Sequence, residues 1–123
     1  MDKKFTVEFY EKENGEKPCL TFLNTLEVKL RAKAFRDLAL LEEKGKDLRL
    51  PYSRHLDDGI FELRTIQGKN IVRNLYFFFA GSKIIMTHGF RKKTDKTPPG
   101  EIDRAKEDRK DYLAKHPQKE EKK

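Results

Sequence analysis

The sequence contains no tryptophan, a single cysteine and no long apolar run. Because Cys19 has no second cysteine to pair with, an internal disulfide framework and a thiolate metal cluster are excluded. No apolar run approaches the ~20 residues that a membrane-spanning helix needs. The first residues also lack the apolar region of a signal peptide. These absences predict a cytoplasmic protein that does not cross a membrane.

Sequence signatures of metal and cofactor sites are missing as well. The three histidines, His55, His88 and His116, are scattered and do not have metal-ligand spacing. No glycine-rich phosphate loop and no Ser/His/Asp arrangement is recognisable. We therefore expect neither a metal nor a cofactor.

Charge, in contrast, is abundant: 40% of the 123 residues are charged and the net charge is +7. Residues 1–44 hold nine basic and nine acidic side chains, whereas residues 83–123 hold thirteen basic and eight acidic ones. An excess of positive charge confined to one part of the chain is typical of a phosphate-binding surface. The length predicts one domain over residues 1–123 with a modest core, in which 116–123 form a solvated tail.

Hydrophobic periodicity predicts most of the secondary structure. The runs 60–66, 71–79 and 83–90 alternate with period two and are separated by turns at Gly68 and Gly81, which indicates a three-stranded antiparallel meander. Residues 5–10 also alternate and predict an N-terminal strand. Residues 47–58, interrupted by Pro51, are expected to form a loop.

Two helices are predicted between the first strand and this loop. Pro18 can begin the first, and Asn24 with Glu27 resembles a capping box at the start of the second. The second helix is expected to end at Lys44, before Gly45. Its apolar stripe repeats with helical period: Leu26, Leu30, Ala34, Leu38 and Leu41, widened by Phe35 and Ala39. A last helix, sparse in apolar residues, is predicted over 101–115.

Two arginines of the meander occupy unusual positions. Alternation places Arg64 and Arg73 on largely apolar strand faces, where a charge costs free energy unless it has a partner or an anionic ligand. They either bind a polyanion or form ordinary ion pairs with Glu62 or Asp57. The third strand leads into the basic block 91–93.

The order of elements and three sequence blocks resemble the RelE/HigB superfamily of toxins from bacterial type II toxin–antitoxin systems, and more closely its HigB-type, phage-protein-like branch. The blocks are His55-Leu56-Asp57-Asp58-Gly59-Ile60-Phe61-Glu62-Leu63-Arg64, then Arg73 with Tyr76-Phe77, and His88-Gly89-Phe90-Arg91-Lys92-Lys93-Thr94 with Lys96-Thr97-Pro98. The resemblance covers about residues 5–115. It implies an α+β, RelE-like fold: an N-terminal strand, a helical hairpin, a three-stranded antiparallel meander and a C-terminal helix.

The resemblance also implies a function and partners. Such toxins cut translated mRNA on the ribosome without a metal, by attack of the RNA 2′-hydroxyl on the adjacent phosphate. A cognate helix-turn-helix antitoxin, HigA-like, would neutralise the toxin, and the complex would bind operator DNA through the antitoxin.

Site residues follow from the same resemblance. Catalytic roles fall on five residues: Arg73, Arg64, Arg91, Lys92 and His88. RNA contacts fall on Lys93, Lys96, Arg54, His55 and Tyr76. The general base is unassigned, with His88 and His55 as candidates because imidazole titrates near neutrality.

Two other functions remain open. A toxin with the same fold could poison DNA gyrase by binding to it. Alternatively, the chain is an inactive RNA- or antitoxin-binding module, since Ile60 and Glu62 stand where some RelE-type enzymes carry lysines.

Overall fold

The structure, a computed structural model, describes residues 3–91 and 95–117. Within these ranges the elements follow one another as β1 (Thr6–Phe9), α1 (Pro18–Asn24), α2 (Val28–Lys44), a 3-10 turn (Gly45–Asp47), β2 (Ser53–Asp57), β3 (Ile60–Gln67), β4 (Asn70–Phe79), β5 (Lys83–Arg91) and α3 (Pro99–Lys115). The sheet order is β1-β5-β4-β3-β2. No helix in the described part of the chain is long and apolar enough to span a membrane.

The sheet contains the predicted meander and two further strands. Strands β3, β4 and β5 pair antiparallel in sequence order, and β1 adds to the far side of β5 in parallel. The prediction of an α+β fold with an N-terminal strand, two helices, a meander and a final helix is confirmed.

The loop predicted over residues 47–58 is wrong in its second half, because β2 pairs with β3 along the edge of the sheet. The strand has only five residues, and Arg54, His55 and Asp57 interrupt its apolar pattern. Charged residues are typical of edge strands, where one side of the backbone faces solvent. Such a strand has too few apolar positions to be recognised by its periodicity.

The helical hairpin covers one face of the sheet. The five leucine and alanine positions of the α2 stripe are buried, as expected, but Phe35 remains 40% exposed and Ala39 is exposed. The capping box is also wrong. Asn24 is the last residue of α1, and α2 begins after Glu27 without a side-chain cap hydrogen bond.

Helix α3 covers the opposite face of the sheet. Its Ala105 and Tyr112 are buried against Leu75, Phe77 and Ile85. The sheet is therefore enclosed between α1 and α2 on one side and α3 on the other, and side chains that alternate along a strand enter different cores.

Candidate nucleic-acid interface

Arg64 on β3 and Arg73 on β4 are direct cross-strand partners. They share the face of the sheet that α3 covers, as the alternation of each strand predicts. Like charges directly opposite one another destabilise a sheet. This pair therefore needs a compensating negative group.

Glu62 supplies that compensation for Arg73. Both side chains are at most 1% exposed, and Arg73 Nη1 lies 3.5 Å from Glu62 Oε1. Thr97 bridges them: its hydroxyl donates to Glu62 Oε1 at 2.5 Å and accepts from Arg73 Nη1 at 2.7 Å. Arg73 Nη2 also donates to the carbonyl oxygen of Asp95 at 2.9 Å. The guanidinium thus holds the segment that precedes α3 against the sheet.

Arg54 on β2 brings a second guanidinium to the same carboxylate. Its Nη2 lies 2.9 Å from Glu62 Oε2, while 40% of its side chain is exposed. Burial lowers the pKa of Arg73 below its usual value, and the charges of Arg54 and Arg64 act in the same direction, against Glu62 and Asp95. We call Arg54, Arg64 and Arg73 the arginine cluster. Its Arg54 and Arg64 are partly exposed, whereas Arg73 is buried.

Each member of the arginine cluster also has an Nε–H group that is buried and makes no hydrogen bond within the described residues. An unsatisfied buried donor costs about 1–3 kcal/mol. Glu62 Oε2 is likewise buried without a well-aligned hydrogen bond from the described residues, so the interior of the arginine cluster is incompletely hydrogen-bonded on both its donor and its acceptor side. Three guanidinium groups against the one carboxylate of Glu62 leave the cluster with an excess of positive charge, which favours an anionic ligand.

Arg91 does not join the arginine cluster, contrary to the sequence prediction. It pairs with Val72, the neighbour of Arg73, and so lies on the opposite face of the sheet. Its Nη2 lies 3.0 Å from Glu27 Oε1 beside α2. In the register of β4 and β5, Arg73 is opposite Phe90, so the next residue, Arg91, lies on the other face. The sequence prediction overlooked this register. Lys92 and Lys93 lie outside the described residues.

His88 lies on the face covered by α3 and is 1% exposed. Its Nε2 is 2.8 Å from Glu101 Oε1, and its Nδ1 is 3.1 Å from Thr87 Oγ1. Burial lowers the pKa of His88, with Arg104 acting in the same direction and Glu101 opposing it. In this structure α3 separates the imidazole of His88 from the surface. The role of His88 as general base therefore stays a prediction.

The remaining predicted RNA contacts differ in exposure. His55 is exposed on β2, and its Nε2 accepts a hydrogen bond from the Gly59 amide at 3.1 Å. Lys96 is exposed in the segment between Asp95 and Thr97. Tyr76, by contrast, is 1% exposed, stacks on Phe61 and bonds to Ser53 through its hydroxyl. Stacking of Tyr76 on a base is therefore excluded without rearrangement of the core.

His116, predicted to lie in a solvated tail, is exposed and contacts the end of α3. Its ring stacks on Tyr112 with centroids 4.0 Å apart, and its Nδ1 donates to the Tyr112 carbonyl oxygen at 3.0 Å. Residues 118–123 lie outside the described part of the chain. Within residues 3–91 and 95–117, no group of three His, Cys, Asp or Glu side chains is arranged to hold a metal ion.

Thr97 is the site residue that sequence reasoning missed, since a threonine before two prolines gives no local signal of a buried role. Glu62 was considered as an ion-pair partner of the arginines, and this alternative is confirmed for Arg73. Asp57 instead pairs with Lys106 on α3 at 2.6 Å.

Comparison with known proteins agrees with this architecture. The family described as "Phage derived protein Gp49-like (DUF891)" matches residues 21–110, a span that includes the arginine cluster, Glu62 and Thr97. No curated protein matches the chain at a significant level. Because the family match covers well over half of the sequence, the chain belongs to the Gp49-like family of phage-derived proteins, a RelE/HigB-like toxin family of toxin–antitoxin systems.

Proposed function

We propose that this protein is an endoribonuclease toxin, an mRNA interferase of the HigB type that cleaves translated mRNA on the ribosome. The observation that carries the proposal is the arginine cluster in a chain of a toxin family: Arg54 and Arg73 contact one buried carboxylate, and Arg64 pairs with Arg73 across the strands. Guanidinium groups match the bidentate geometry of a phosphate and remain charged at every physiological pH.

The members of the arginine cluster would have different tasks. Arg54 and Arg64 are partly exposed and would contact the scissile phosphate. Arg73 already donates to Thr97 and Asp95 and is enclosed, so it would position Glu62 and the segment before α3. Lys96, on the surface of that segment, would contact a flanking phosphate.

The chemistry would use the RNA's own nucleophile. The 2′-hydroxyl oxygen forms a bond to the adjacent phosphorus, and the bond to the 5′-oxygen of the next nucleotide breaks. The products are a 2′,3′-cyclic phosphate and a free 5′-hydroxyl end. Preorganised cations that face the phosphate stabilise the negative charge that accumulates on its oxygens, which is usually the largest catalytic contribution.

Proton transfer has two candidate imidazoles in this proposal. His55 is exposed on the same edge strand as Arg54, but it packs against Phe61 on the face of the sheet that the helical hairpin covers. Arg54 and Arg64, in contrast, lie on the face that α3 covers. His55 would therefore act on RNA that passes around this edge of the sheet. His88 would require α3 to move away from the sheet. The test compares the pH–rate profiles of His55→Gln and His88→Gln. If the limb near neutrality is lost in His55→Gln and kept in His88→Gln, His55 is the base.

We propose the ribosome and a HigA-like antitoxin as partners on the basis of the family. Binding of the antitoxin would neutralise the toxin, and its helix-turn-helix part would carry the complex to operator DNA. Association of the purified toxin with a co-expressed antitoxin, measured by size-exclusion chromatography, tests this part independently of cleavage.

The test of the function is primer extension on a defined message incubated with the protein, with and without translating ribosomes. The proposal expects new 5′ ends within the translated region, each with a 5′-hydroxyl, only when ribosomes are present. Cleavage of RNA in the absence of ribosomes would support the nuclease activity and reject the requirement for the ribosome. Intact message with double-strand breaks in the presence of gyrase and DNA would instead establish the gyrase alternative.

A further inference from the structure

A surface cavity of about 390 Å³ lies beside the edge strand β2. Its lining consists of Lys46, Leu48, Arg49, Leu50, Ser53, Arg54, His55 and Phe61. A second cavity, of about 630 Å³, extends toward Lys4 and the end of α2 and shares Leu48, Arg49 and Leu50 with the first. We call the smaller cavity the edge groove. Cavities of this size accommodate small molecules or single residues of a polymer.

The charge of the edge groove has one sign. Lys46, Arg49 and Arg54 line it, and no carboxylate does so among the described residues. A third cavity at the other edge of the sheet is balanced, since Glu8 and Glu11 accompany Lys17 and Lys115. The edge groove is therefore complementary to an anionic ligand, whereas the third cavity is not.

The edge groove and the larger cavity also expose ring and apolar surface. His55 is exposed and packs edge-on against Phe61, with ring centroids 5.0 Å apart. Leu50 is 60% exposed, and Tyr52 in the adjoining cavity is 39% exposed. That adjoining cavity is mixed in charge, since Glu43 and Asp47 line it together with Lys4, Lys44 and Arg49. Single-stranded nucleic acid is bound by cationic side chains that contact its phosphate backbone and by aromatic rings on which its bases stack.

The edge groove adjoins the arginine cluster. Arg54 lines the groove and also contacts Glu62 within the cluster. The carbonyl oxygen of Tyr52 accepts a hydrogen bond from the amide of Arg64 at 2.7 Å. The edge groove lies toward the face that the helical hairpin covers, so a strand of RNA held at Arg54 and Arg64 would reach it by passing around the edge strand, with Arg54 at the crossing.

We infer that the edge groove binds the single-stranded RNA that flanks the scissile phosphate, with Arg49 on a phosphate and Tyr52, in the adjoining cavity, against a base. This inference rests on the proposed ribonuclease function. An acidic peptide would satisfy the cations equally well, but it would have no use for the exposed tyrosine and imidazole rings. The rings therefore favour RNA.

The experiment measures fluorescence anisotropy of a labelled 2′-O-methyl oligoribonucleotide, which cannot be cleaved because its 2′-oxygen is blocked. Binding is thus separated from catalysis. Arg49→Gln should reduce the slope of log affinity against log salt by about 0.7, the value for one lost phosphate contact on a single strand. Tyr52→Ala should weaken binding about fivefold or more, because it removes a stacking surface.

Two matched controls are available. Lys17→Gln removes one positive charge at the third cavity, and Phe35→Ala removes an aromatic ring of similar exposure on α2. Both should bind the oligonucleotide as the unmodified protein does. Arg49→Gln and Tyr52→Ala variants that bind no differently from these controls would overturn the inference. Displacement of the labelled oligonucleotide by a poly-glutamate peptide does not by itself decide between the two ligands. Tight binding of that peptide, with an affinity that Tyr52→Ala leaves unchanged, would also overturn the inference.

The outcome is separable from that of the proposed function. If the unmodified protein cleaves message and the edge-groove variants bind RNA normally, only the edge groove is rejected. If the variants lose binding but the unmodified protein never cleaves message, the edge groove is retained as an RNA-binding site and the nuclease is rejected.

Discussion

Arg73 and Glu62 lie diagonally across β4 and β3, with Nη1 and Oε1 3.5 Å apart and both side chains almost completely removed from solvent. An ion pair in this environment is costly to break, because each charge loses its compensation without regaining water. Arg73, which the resemblance to RelE-like toxins predicts to be catalytic, is therefore a structural residue.

The first prediction concerns the stability of this pair. Arg73→Leu leaves Glu62 buried with Arg54 as its remaining ionic partner, and should lower the free energy of unfolding by about 3–5 kcal/mol. The double variant Glu62→Leu/Arg73→Leu should lose less than the sum of the two single variants, since neither charge remains uncompensated. Urea unfolding measures all three. Additive losses would show that the two side chains do not interact.

A second prediction concerns close packing at Gly89. This residue pairs with Asn74 on β4, and a Cβ atom there would overlap Asn74 Oδ1 and the ring of Phe22. Gly89→Ala should therefore lower the free energy of unfolding by about 1–3 kcal/mol through overpacking. Gly100→Ala, at the start of α3 with open space around it, should be neutral or stabilise by up to about 1 kcal/mol. Equal effects of both changes on the thermal midpoint would contradict this account.

A third prediction uses the buried carboxyl of Asp108. Burial raises its pKa to about 6, against the opposing charges of Arg104 and Lys12. Because the folded state then holds this proton more tightly than the unfolded state does, the group makes folding less favourable as pH rises from about 4 to about 6. Asp108→Asn should thus raise the thermal midpoint at pH 7.5 and leave it unchanged below pH 4.

The matched control for Asp108 is the exposed carboxyl of Asp103 on the same helix. Asp103→Asn should shift the thermal midpoint little, and by the same amount at both pH values. A gain for Asp108→Asn that is as large at pH 3.5 as at pH 7.5 would show that the effect comes from helix propensity and not from proton binding.

Most of the fold could be predicted because its strongest signals are local. The alternation along β3 and β4 correctly placed Arg64 and Arg73 on apolar faces, and their pairing followed from the short turn at Gly68. The edge strand β2 was missed because it has few apolar residues. The capping box failed because α1 extends through Asn24, a result of packing that the sequence pattern does not contain.

The candidate site was predictable only in part, since its geometry depends on contacts between distant residues. Thr97 reaches Glu62 from 35 positions away in the chain. The placement of Arg91 depends on a register shift in β5 between Met86 and His88, the partners of Tyr76 and Leu75, which reverses the side-chain alternation from His88 onward. No short-range pattern in the sequence specifies such an irregularity.

The most direct test of the account is the rate of message cleavage in a translating extract by Arg54→Gln and Arg64→Gln variants. Arg64→Gln removes a partly exposed side chain that forms no ion pair among the described residues, so it should leave the urea unfolding midpoint close to that of the unmodified protein. Arg54→Gln removes one of the two ionic partners of Glu62, so its cleavage is measured under conditions in which urea unfolding shows it to be folded. Arg36→Gln, on the exposed side of α2, is the matched control. The account predicts cleavage slowed at least about tenfold in both variants and unchanged in the control. Folded Arg54→Gln and Arg64→Gln proteins that cleave at the unmodified rate would contradict it.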